Sequence, residues 1–497
     1  MSLYVIGIGG TGAKCLEAII QMAAIGLISE QPIKLLFVDA DESNGNLERA
    51  RSSLKKYQSC YQLMSGDKQQ YGWLKTPIES NGLWSPFGNT STNKSLASFF
   101  NYNSLKQNNP DVGNLFDVLY TEEERKANLD VGFRGRPAIG SAVMSRVDLD
   151  NLDEEPWNAI IGQIQQDVGG GRSTTKVLLC GSIFGGTGAS GLPTIGRLIA
   201  NKLNKENIRE KVKIACLFVL PYFGFAPTGG SNDRVYARSE QFLLNTEAAL
   251  RYYVNQAKMF DSVYLLGNQN FSQYKFSIGK TSQRNETHFI ELYAALAARH
   301  FLQNTSSRQT QVVLINREHK GKLVWNDLPQ RDEIKKELVN AARFAYVWLS
   351  YVVHALEYAR SQGVRRASNS IPWFNKFYQR GGLPDFNDSN QQQAIETISD
   401  WCKDYLRWLY DIHNCDGDDI ELFNYKYLAL ENFDGSQKGE ELSNLVVSDR
   451  RDNQARGGDT VQKIQQGLLD INRNLNLTSP NQGTSGLAKA LYILCRI

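Results

Sequence analysis

Paired cysteines, long apolar runs and an excess of charge of one sign are all missing from this sequence of 497 residues. Its seven cysteines are scattered without paired spacing, which argues against a disulfide framework or a zinc site and favours a reducing compartment. The formal net charge is only +3, so the composition gives no electrostatic reason to expect a nucleic-acid or membrane-surface protein. We therefore expect a cytoplasmic protein without a nucleic-acid partner.

Membrane and export segments are also not expected. The longest apolar stretch, Phe344 to Leu356, is interrupted by Ser350 and His354 and falls short of the ~20 residues that a membrane span requires. The sequence runs within a few residues of Met1 into a strand pattern, which does not fit a signal peptide.

The first 300 or so residues alternate strand-like and helix-like patterns, which predicts an α/β fold with a Rossmann-like parallel sheet. Residues 43–150 show few clear periods, and no strand is predicted there. The predicted strands are Leu3–Ile8, Lys34–Val38, Lys176–Cys180, Lys213–Val219 and Val263–Leu266. The predicted helices are Ala13–Ile25, Trp157–Gln165, Leu192–Leu203, Asp233–Gln256 and Thr287–Leu302.

The pattern changes after about residue 305. Gln311–Ile315 and Lys322–Trp325 are predicted to pair as a hairpin, and helices are predicted over 332–361, 392–413, 459–474 and 486–495. An apolar stripe at helical spacing within the second of these helices predicts core packing; it consists of Trp401, Tyr405, Trp408 and Ile412. We expect a nucleotide-binding domain over 1–305, a connecting segment with a possible catalytic loop over 306–340, and a mainly helical domain over 341–497.

A first glycine-rich loop, Gly7-Ile8-Gly9-Gly10-Thr11-Gly12, fits the pattern GxGxxG between a predicted strand and a predicted helix. Glycines at such a junction let backbone N–H groups approach a phosphate, and the helix N-terminus favours its negative charge. Asp39 ends the second strand, where an acid could hold a ribose. Alone, this loop is compatible with an NAD site or with a tight turn that binds nothing.

A second loop of the same kind, from Gly185 to Gly191, lies between a predicted strand and a predicted helix some 175 residues further on. Thr187 and Ser190 add hydroxyl groups to it. An NAD-dependent dehydrogenase does not need a second phosphate loop of this length, whereas a protein that wraps a triphosphate from several strand ends does.

These motifs together resemble the tubulin/FtsZ superfamily, and most closely its divergent bacterial tubulin-like members. The segment Gly185 to Pro193 is similar to the signature GGGTGTGAAP, and the first loop is similar to that family's first nucleotide loop. Further matches follow in the family's chain order over roughly residues 1–305. They are Val38-Asp39-Ala40-Asp41 in the second loop, Gly135 to Ser141 in the loop that senses the γ-phosphate, Leu217 to Tyr222, Asp261 to Asn268, and Asn285-Glu286.

The resemblance implies a site for GTP or GDP, with Mg²⁺ near Asp39 or Asp41 and the hydroxyl groups of the second loop. The residues that it implies in nucleotide binding are Gly9, Gly10, Thr11, Gly12, Asp39, Asp41, Arg136, Gly140, Gly185, Gly186, Thr187, Gly188, Ala189, Ser190, Asn268 and Asn285. Asn268 and Asn285 take the positions that read guanine in the family. No side chains are assigned to a metal site that is separate from the nucleotide.

Asp327 is the first candidate to polarise the attacking water, with Asp332 or Glu333 as the second. In the family such an acid projects into the neighbouring subunit. The same acids could instead cap the helix that begins near Asp332.

Three functions remain open from the sequence. The first is a GTPase whose active site is completed by self-association into oligomers or filaments. The second is a GTP-dependent switch or adaptor with little turnover, which engages a partner protein through its C-terminal helices. The third, an NAD-dependent oxidoreductase, is disfavoured by the second glycine loop.

Overall fold

The fold is given by a computed structural model of the chain. It describes residues 2–28, 31–64, 72–88, 94–148, 155–170, 174–225, 238–256, 259–274, 279–304, 310–317, 321–379, 381–415, 417–433, 440–447, 459–470 and 482–497. The strands are β1 (Leu3–Ile8), β2 (Ile33–Val38), β3 (Ile78–Trp84), β4 (Thr175–Ser182), β5 (Val212–Val219), β6 (Phe223–Phe225), β7 (Ser262–Leu266), β8 (Ser272–Tyr274) and β9 (Gln311–Ile315).

Helices connect the strands and form most of the described C-terminal part. Before β9 they are α1 (Gly9–Ala24), α2 (Gly45–Leu63), α3 (Leu96–Phe99), α4 (Tyr102–Asn108), α5 (Pro110–Leu119), α6 (Glu122–Lys126), α7 (Pro137–Met144), α8 (Trp157–Gly169), α9 (Gly186–Lys205), α10 (Ser239–Gln256) and α11 (Phe289–Gln303). After β9 they are α12 (Arg331–Val347), α13 (Val353–Gln362), α14 (Val364–Ser370), α15 (Phe374–Phe377), α16 (Ser389–His413), α17 (Val461–Asp470) and α18 (Gly483–Cys495).

Seven of the strands form one sheet in the order β3-β2-β1-β4-β5-β7-β9, with every neighbouring pair parallel. Strands β6 and β8 pair separately. The central strands are continuous apolar runs because helices cover both faces of the sheet. Along β1, Leu3 and Val5 belong to one apolar core, and Tyr4 and Ile6 belong to the other. The expected Rossmann-like α/β class is therefore confirmed.

The two faces carry different helices. Helices α7, α8 and α9 pack on one face. Helices α1, α2 and α11 pack on the other, and their apolar cluster continues into α12, α16 and α18. The stripe Trp401, Tyr405, Trp408 and Ile412 is buried in this cluster, as predicted. Because one cluster runs from the sheet into the C-terminal helices, the division at residues 305 and 340 stays a prediction.

The predicted hairpin is wrong. Gln311–Ile315 pairs in parallel with Ser262–Leu266 and forms the edge of the main sheet. In the second half of the proposed hairpin, Leu323 instead bridges Ile420 in the C-terminal part. A short apolar run does not show which strand it joins, because its partner is chosen by contacts that are distant in sequence.

Other boundaries differ by smaller amounts. Strand β3 was not predicted because it is an edge strand with four polar or glycine residues among its seven, Ile78–Trp84. Helices α1 and α9 begin within their glycine loops, several residues earlier than predicted. Residues 233–237 and 471–474, which were predicted to be helical, lie outside the described residues. None of the helices in the described ranges combines the length and hydropathy needed to cross a bilayer.

Candidate functional site

The order of the main sheet reverses between β1 and β4, since the chain builds outward from β1 on one side and from β4 on the other. In open parallel sheets, the carboxyl ends of the strands leave a crevice at such a reversal, and ligands bind there. Each of the two predicted glycine loops follows one of these two strands. Helix α1 begins at Gly9 directly after β1, and α9 begins at Gly186 shortly after β4.

The two loops touch each other. A Cβ atom on Gly9 would lie 3.3 Å from the backbone nitrogen of Gly188 and 3.3 Å from Cβ of Thr187. Gly9 also has a φ of +74°, a left-handed conformation that L side chains rarely adopt. The N-termini of α1 and α9 therefore meet at one place, where their unpaired N–H groups and partial positive charges favour an anion.

A cavity that is partly open to solvent lies over this junction. Ten of the residues predicted to bind nucleotide line it: Gly9, Gly10, Thr11, Asp39, Asp41, Gly185, Gly186, Thr187, Gly188 and Asn285. They come from the ends of β1, β2 and β4 and from the segment before α11, so the fold brings together parts of the chain that are distant in sequence. Their role in binding stays a prediction.

Two carboxylates, those of Asp39 and Asp41, line the cavity. Burial raises the pKa of Asp39 to about 7, although hydrogen bonds from the Asp41 backbone and the Thr187 hydroxyl oppose that rise. Burial also raises the pKa of Asp41, whose carboxylate accepts a 2.6 Å hydrogen bond from the backbone of Lys280. A cation beside these groups would favour their charged forms.

Carboxylate and hydroxyl oxygens are ligands that Mg²⁺ accepts, so Asp39, Asp41 and Thr187 fit a magnesium ion that also binds phosphate oxygens. The described residues contain no group of three or more His, Cys, Asp or Glu side chains able to hold a metal by themselves. A magnesium ion here would therefore take part of its coordination from the ligand or from water.

Four side-chain amides form a second part of the wall. Asn44 donates to Oε1 of Gln283 at 2.9 Å, while Oδ1 of Asn46 accepts from the backbone of Asn285 at 2.9 Å. The backbone oxygen of Asn285 also accepts a hydrogen bond from Arg49. These contacts hold the start of α2 against the segment before α11, and only Asn285 among the four was predicted to be part of a site.

The cavity also has an aromatic part, which was not predicted as a site. Its lining includes Phe184, Tyr222, Phe223, Phe225 and Phe242. The signal in the sequence is the run Tyr222-Phe223-Gly224-Phe225 directly after a strand end. Lys14 of α1 also lines the cavity, with 2% of its side chain exposed. The amphipathic pattern of α1 had placed this residue in an ordinary helix.

Several predicted residues do not line the cavity. A Cβ atom on Gly12 would lie 2.6 Å from the carbonyl oxygen of Cys180, so this glycine allows α1 to pack against β4. A Cβ atom on Gly140 would lie 2.2 Å from Oγ of Ser190, which places both residues in the contact between α7 and α9. Asn268 donates to Asp418 at 2.8 Å and does not contribute to the lining.

Arg136 and Ala189 line a neighbouring groove that shares Gly135 with the cavity. The guanidinium group of Arg136 lies 2.6 Å from the carboxylate of Glu124. Arg134, two residues earlier, lines the cavity instead.

The candidate catalytic acids do not line the cavity: Asp327 lies in the short turn Trp325–Asp327, and Asp332 and Glu333 lie in the first turn of α12. The carboxylate of Asp327 accepts a 2.7 Å hydrogen bond from the backbone of Val324, so it caps a short helical turn. Asp332 lies 2.7 Å from Arg331, and Glu333 lies 2.7 Å from Arg299. Within one chain, Asp327 therefore acts as a cap. Its proposed role in positioning water at the nucleotide of a second chain stays a prediction.

The sheet order and the position of the cavity define a Rossmann-like α/β protein. The sequence matches no protein-family model and no curated protein. Among solved structures, the chain is similar to CetZ from Methanosaeta thermophila strain DSM 6194, with 15% identity, a TM-score of 0.27, and coverage of 62% of this chain and 56% of that chain. It is also similar to the helical model of the TubZ-Bt two-stranded filament, with 13% identity, a TM-score of 0.22, and the same coverage of 62% and 56%.

The chain thus spans 56% of the length of each of these two chains. What this protein binds has to follow from the chemistry of its own cavity.

Proposed function

We propose that this chain binds GTP, and GDP as the product, with the phosphates on the two glycine loops. The observation that carries the proposal is the contact between Gly9 and Gly188, because it brings two helix N-termini to one point at the reversal of the sheet order. One such terminus suits a single phosphate group. Two of them, with Asp39 and Asp41 beside them for a magnesium ion, suit a chain of phosphates.

The remaining lining fits the rest of a nucleotide. Aromatic side chains of the lining offer faces on which a planar base can stack. The amides of Asn44 and Gln283 lie on the wall and can form hydrogen bonds with a sugar. A site for NAD would not use a second phosphate loop, so the double loop favours a nucleoside triphosphate.

The proposal is tested by measuring nucleotide in the purified protein after denaturation, and by calorimetric titration of nucleotide-free protein with GTP and NAD in the presence of Mg²⁺. We expect GTP to bind and NAD not to bind. Tighter binding of NAD than of GTP would reject the proposal and restore the oxidoreductase interpretation.

We further propose that GTP is hydrolysed when chains associate into oligomers or filaments. Phosphoryl transfer depends mainly on the positioning of water and on charge stabilisation. Neither Asp327 nor Asp332 is among the residues that line the cavity of the same chain. A second copy would have to bring such an acid to the γ-phosphate.

One observation favours the second candidate function, a GTP-dependent switch. Asp327 and Asp332 already have local partners, Val324 and Arg331, so both acids have a structural explanation. A switch would bind GTP with little turnover and engage a partner protein through the C-terminal helices. Phosphate release at high protein concentration separates the two functions.

We place this activity in the cytoplasm. All seven cysteines are buried and unpaired, which suits a reducing compartment.

A further inference from the structure

Two parts of the cavity lining differ in chemistry. Gly9, Gly10 and the second glycine loop present backbone N–H groups. The aromatic rings of the lining contact one another, with centroids 4.9 Å apart for Phe184 and Phe242 and 5.5 Å apart for Phe184 and Phe223. A bound nucleotide would place its phosphates against the glycine loops and stack its base on the aromatic rings.

Lys14 lies beside one of these aromatic rings. Its ammonium group donates to the hydroxyl of Tyr222 at 3.4 Å and lies 5.8 Å from the centre of the same ring. Because Tyr222 is one of the lining rings on which a base can stack, Lys14 is placed to meet the base.

Glu291 of α11 holds Lys14 in this position. Its Oε1 atom lies 2.5 Å from Nζ of Lys14, and both side chains are almost fully buried. Because the carboxylate neutralises the ammonium group, the pair adds little general attraction for a triphosphate. The pair can still contribute to ligand binding through the directional hydrogen bonds that Lys14 donates.

An ammonium group has three N–H donors and no acceptor. Glu291 and Tyr222 use two of the donors of Lys14 among the residues that the structure describes. Guanine presents acceptors, O6 and N7, on one edge, whereas adenine presents a donor, its N6 amino group, beside N7. A buried group that can only donate matches guanine and leaves the adenine amino group without a partner.

We infer that Lys14 selects guanine over adenine by donating a hydrogen bond to O6 of the base, and that Glu291 positions its ammonium group. The inference rests on the proposed nucleotide function and adds the residue that chooses the base. Asn268, which was predicted to read guanine, is instead bound to Asp418 outside the cavity lining.

The test uses four nucleoside triphosphates that differ at the base. GTP and inosine triphosphate carry O6, whereas ATP and 2-aminopurine riboside triphosphate do not. Calorimetry on the full chain with Mg²⁺ should give similar affinities for the first two and affinities about ten- to hundredfold weaker for the other two.

Two variants test Lys14 itself. Lys14→Met should reduce the affinity for GTP to that for the 2-aminopurine nucleotide, while Lys14→Arg, which also only donates, should keep the preference for O6. The double variant Lys14→Met with Glu291→Gln leaves no buried charge unpaired, so it repeats the test if Lys14→Met alone does not fold.

Lys176→Met is the matched control. Lys176 is also buried, but its ammonium group binds the backbone oxygens of Phe301 and Leu302 and does not line the cavity. This variant should lose stability and keep the preference for O6.

The possible failures can be told apart. If none of the four nucleotides binds to the wild type, both the proposed function and the inference are wrong. If all four bind equally, or if Lys14→Met weakens GTP and the 2-aminopurine nucleotide by the same factor, nucleotide binding stands and the role of Lys14 in base selection is wrong.

Discussion

Single glycines of the two loops serve two different purposes. A Cβ atom on Gly188 would lie 2.3 Å from the carbonyl oxygen of Ser182, and one on Gly12 would lie 2.6 Å from that of Cys180. These two glycines let helices pack against strands. The atoms nearest to a Cβ atom on Gly10 would instead belong to the side-chain amides of Asn44 and Asn46, the closest at 3.3 Å. Gly10 is therefore the better position for a test of the phosphate site.

We predict that Gly10→Val weakens GTP binding by about tenfold or more and leaves the protein folded. The added side chain occupies space next to the N-terminus of α1, where phosphate would approach the N–H groups. The matched control is Gly162→Val, since a Cβ atom on this helical glycine meets nothing within 4 Å. Calorimetry and a thermal melt of both variants are the measurements; equal affinities would move the phosphates away from this loop.

Asp39 predicts a pH dependence. Burial raises the pKa of Asp39 to about 7 in the folded protein, whereas the pKa of an Asp in an unfolded chain is about 4. Between these two pH values the folded protein keeps a proton on Asp39 and the unfolded chain does not. Stability without ligand should fall as pH rises from about 4 to about 7, and Asp39→Asn should remove this decline.

Bound magnesium favours the deprotonated form of Asp39, because the ion needs the charged carboxylate. We predict that Mg²⁺-dependent GTP affinity is weaker at about pH 6 than at about pH 8, and that Asp39→Asn abolishes this difference. A titration of the wild type that shows no change over this interval would remove Asp39 from the magnesium site.

At the scale of elements, three helices meet at one buried carboxylate. Glu17 of α1 lies 2.7 Å from Arg49 of α2 and 2.7 Å from Arg407 of α16. Burial alone would raise the pKa of Glu17, but the two guanidinium groups outweigh burial and lower this pKa to about 2. Since Arg49 also donates to the backbone of Asn285, the cluster joins the cavity wall to a C-terminal helix.

We predict that Glu17→Gln lowers the free energy of unfolding by about 3–5 kcal/mol near neutral pH, because the buried guanidinium group of Arg49 loses its carboxylate. Arg407 is partly exposed and keeps Asp404 and Asp411 as partners. The control, Glu247→Gln, breaks an exposed pair with Arg251 and should cost about 0.5 kcal/mol or less. Urea unfolding measures both.

The loss of stability in Glu17→Gln should also depend on pH. A lowered pKa contributes stability above the ordinary carboxyl pKa of about 4.3, and this contribution is lost as the pH falls toward 2. The deficit of Glu17→Gln should therefore shrink in acid. A deficit that is constant with pH would show that charge does not hold these helices together.

At the scale of the whole molecule, the question is whether one chain can hydrolyse GTP. We predict that the turnover of the wild type rises faster than linearly with protein concentration, since association precedes chemistry. Asp327→Asn keeps an oxygen able to accept from Val324 but removes the charge, so it should bind GTP and show almost no turnover.

A mixture of two variants tests whether the active site is completed by a second chain. Asp327→Asn supplies an intact cavity, and Gly10→Val supplies an intact Asp327, so the mixture should recover part of the activity. If turnover is proportional to concentration and the mixture stays inactive, hydrolysis does not need a second chain. If turnover stays negligible at high protein concentration, the switch becomes the better function.

The sequence by itself determined the central architecture. Strands such as Leu3–Ile8 and Lys213–Val219 are short apolar runs flanked by loops and helical patterns, and in a covered parallel sheet such runs must be buried. Both glycine loops were visible because each interrupts a strand-to-helix pattern locally. Their closeness in space follows from strand order, and only the tertiary structure shows that β1 and β4 are neighbours.

Tertiary structure alone decided the rest. It placed Gln311–Ile315 at the sheet edge, put Arg134 rather than Arg136 on the cavity, and joined Lys14 to Glu291 across 277 positions in the sequence. A helical pattern shows that Lys14 lies on a helix and leaves open which group faces it. Local propensity reports how a segment folds, whereas the choice of partner depends on contacts that form only when distant segments pack together.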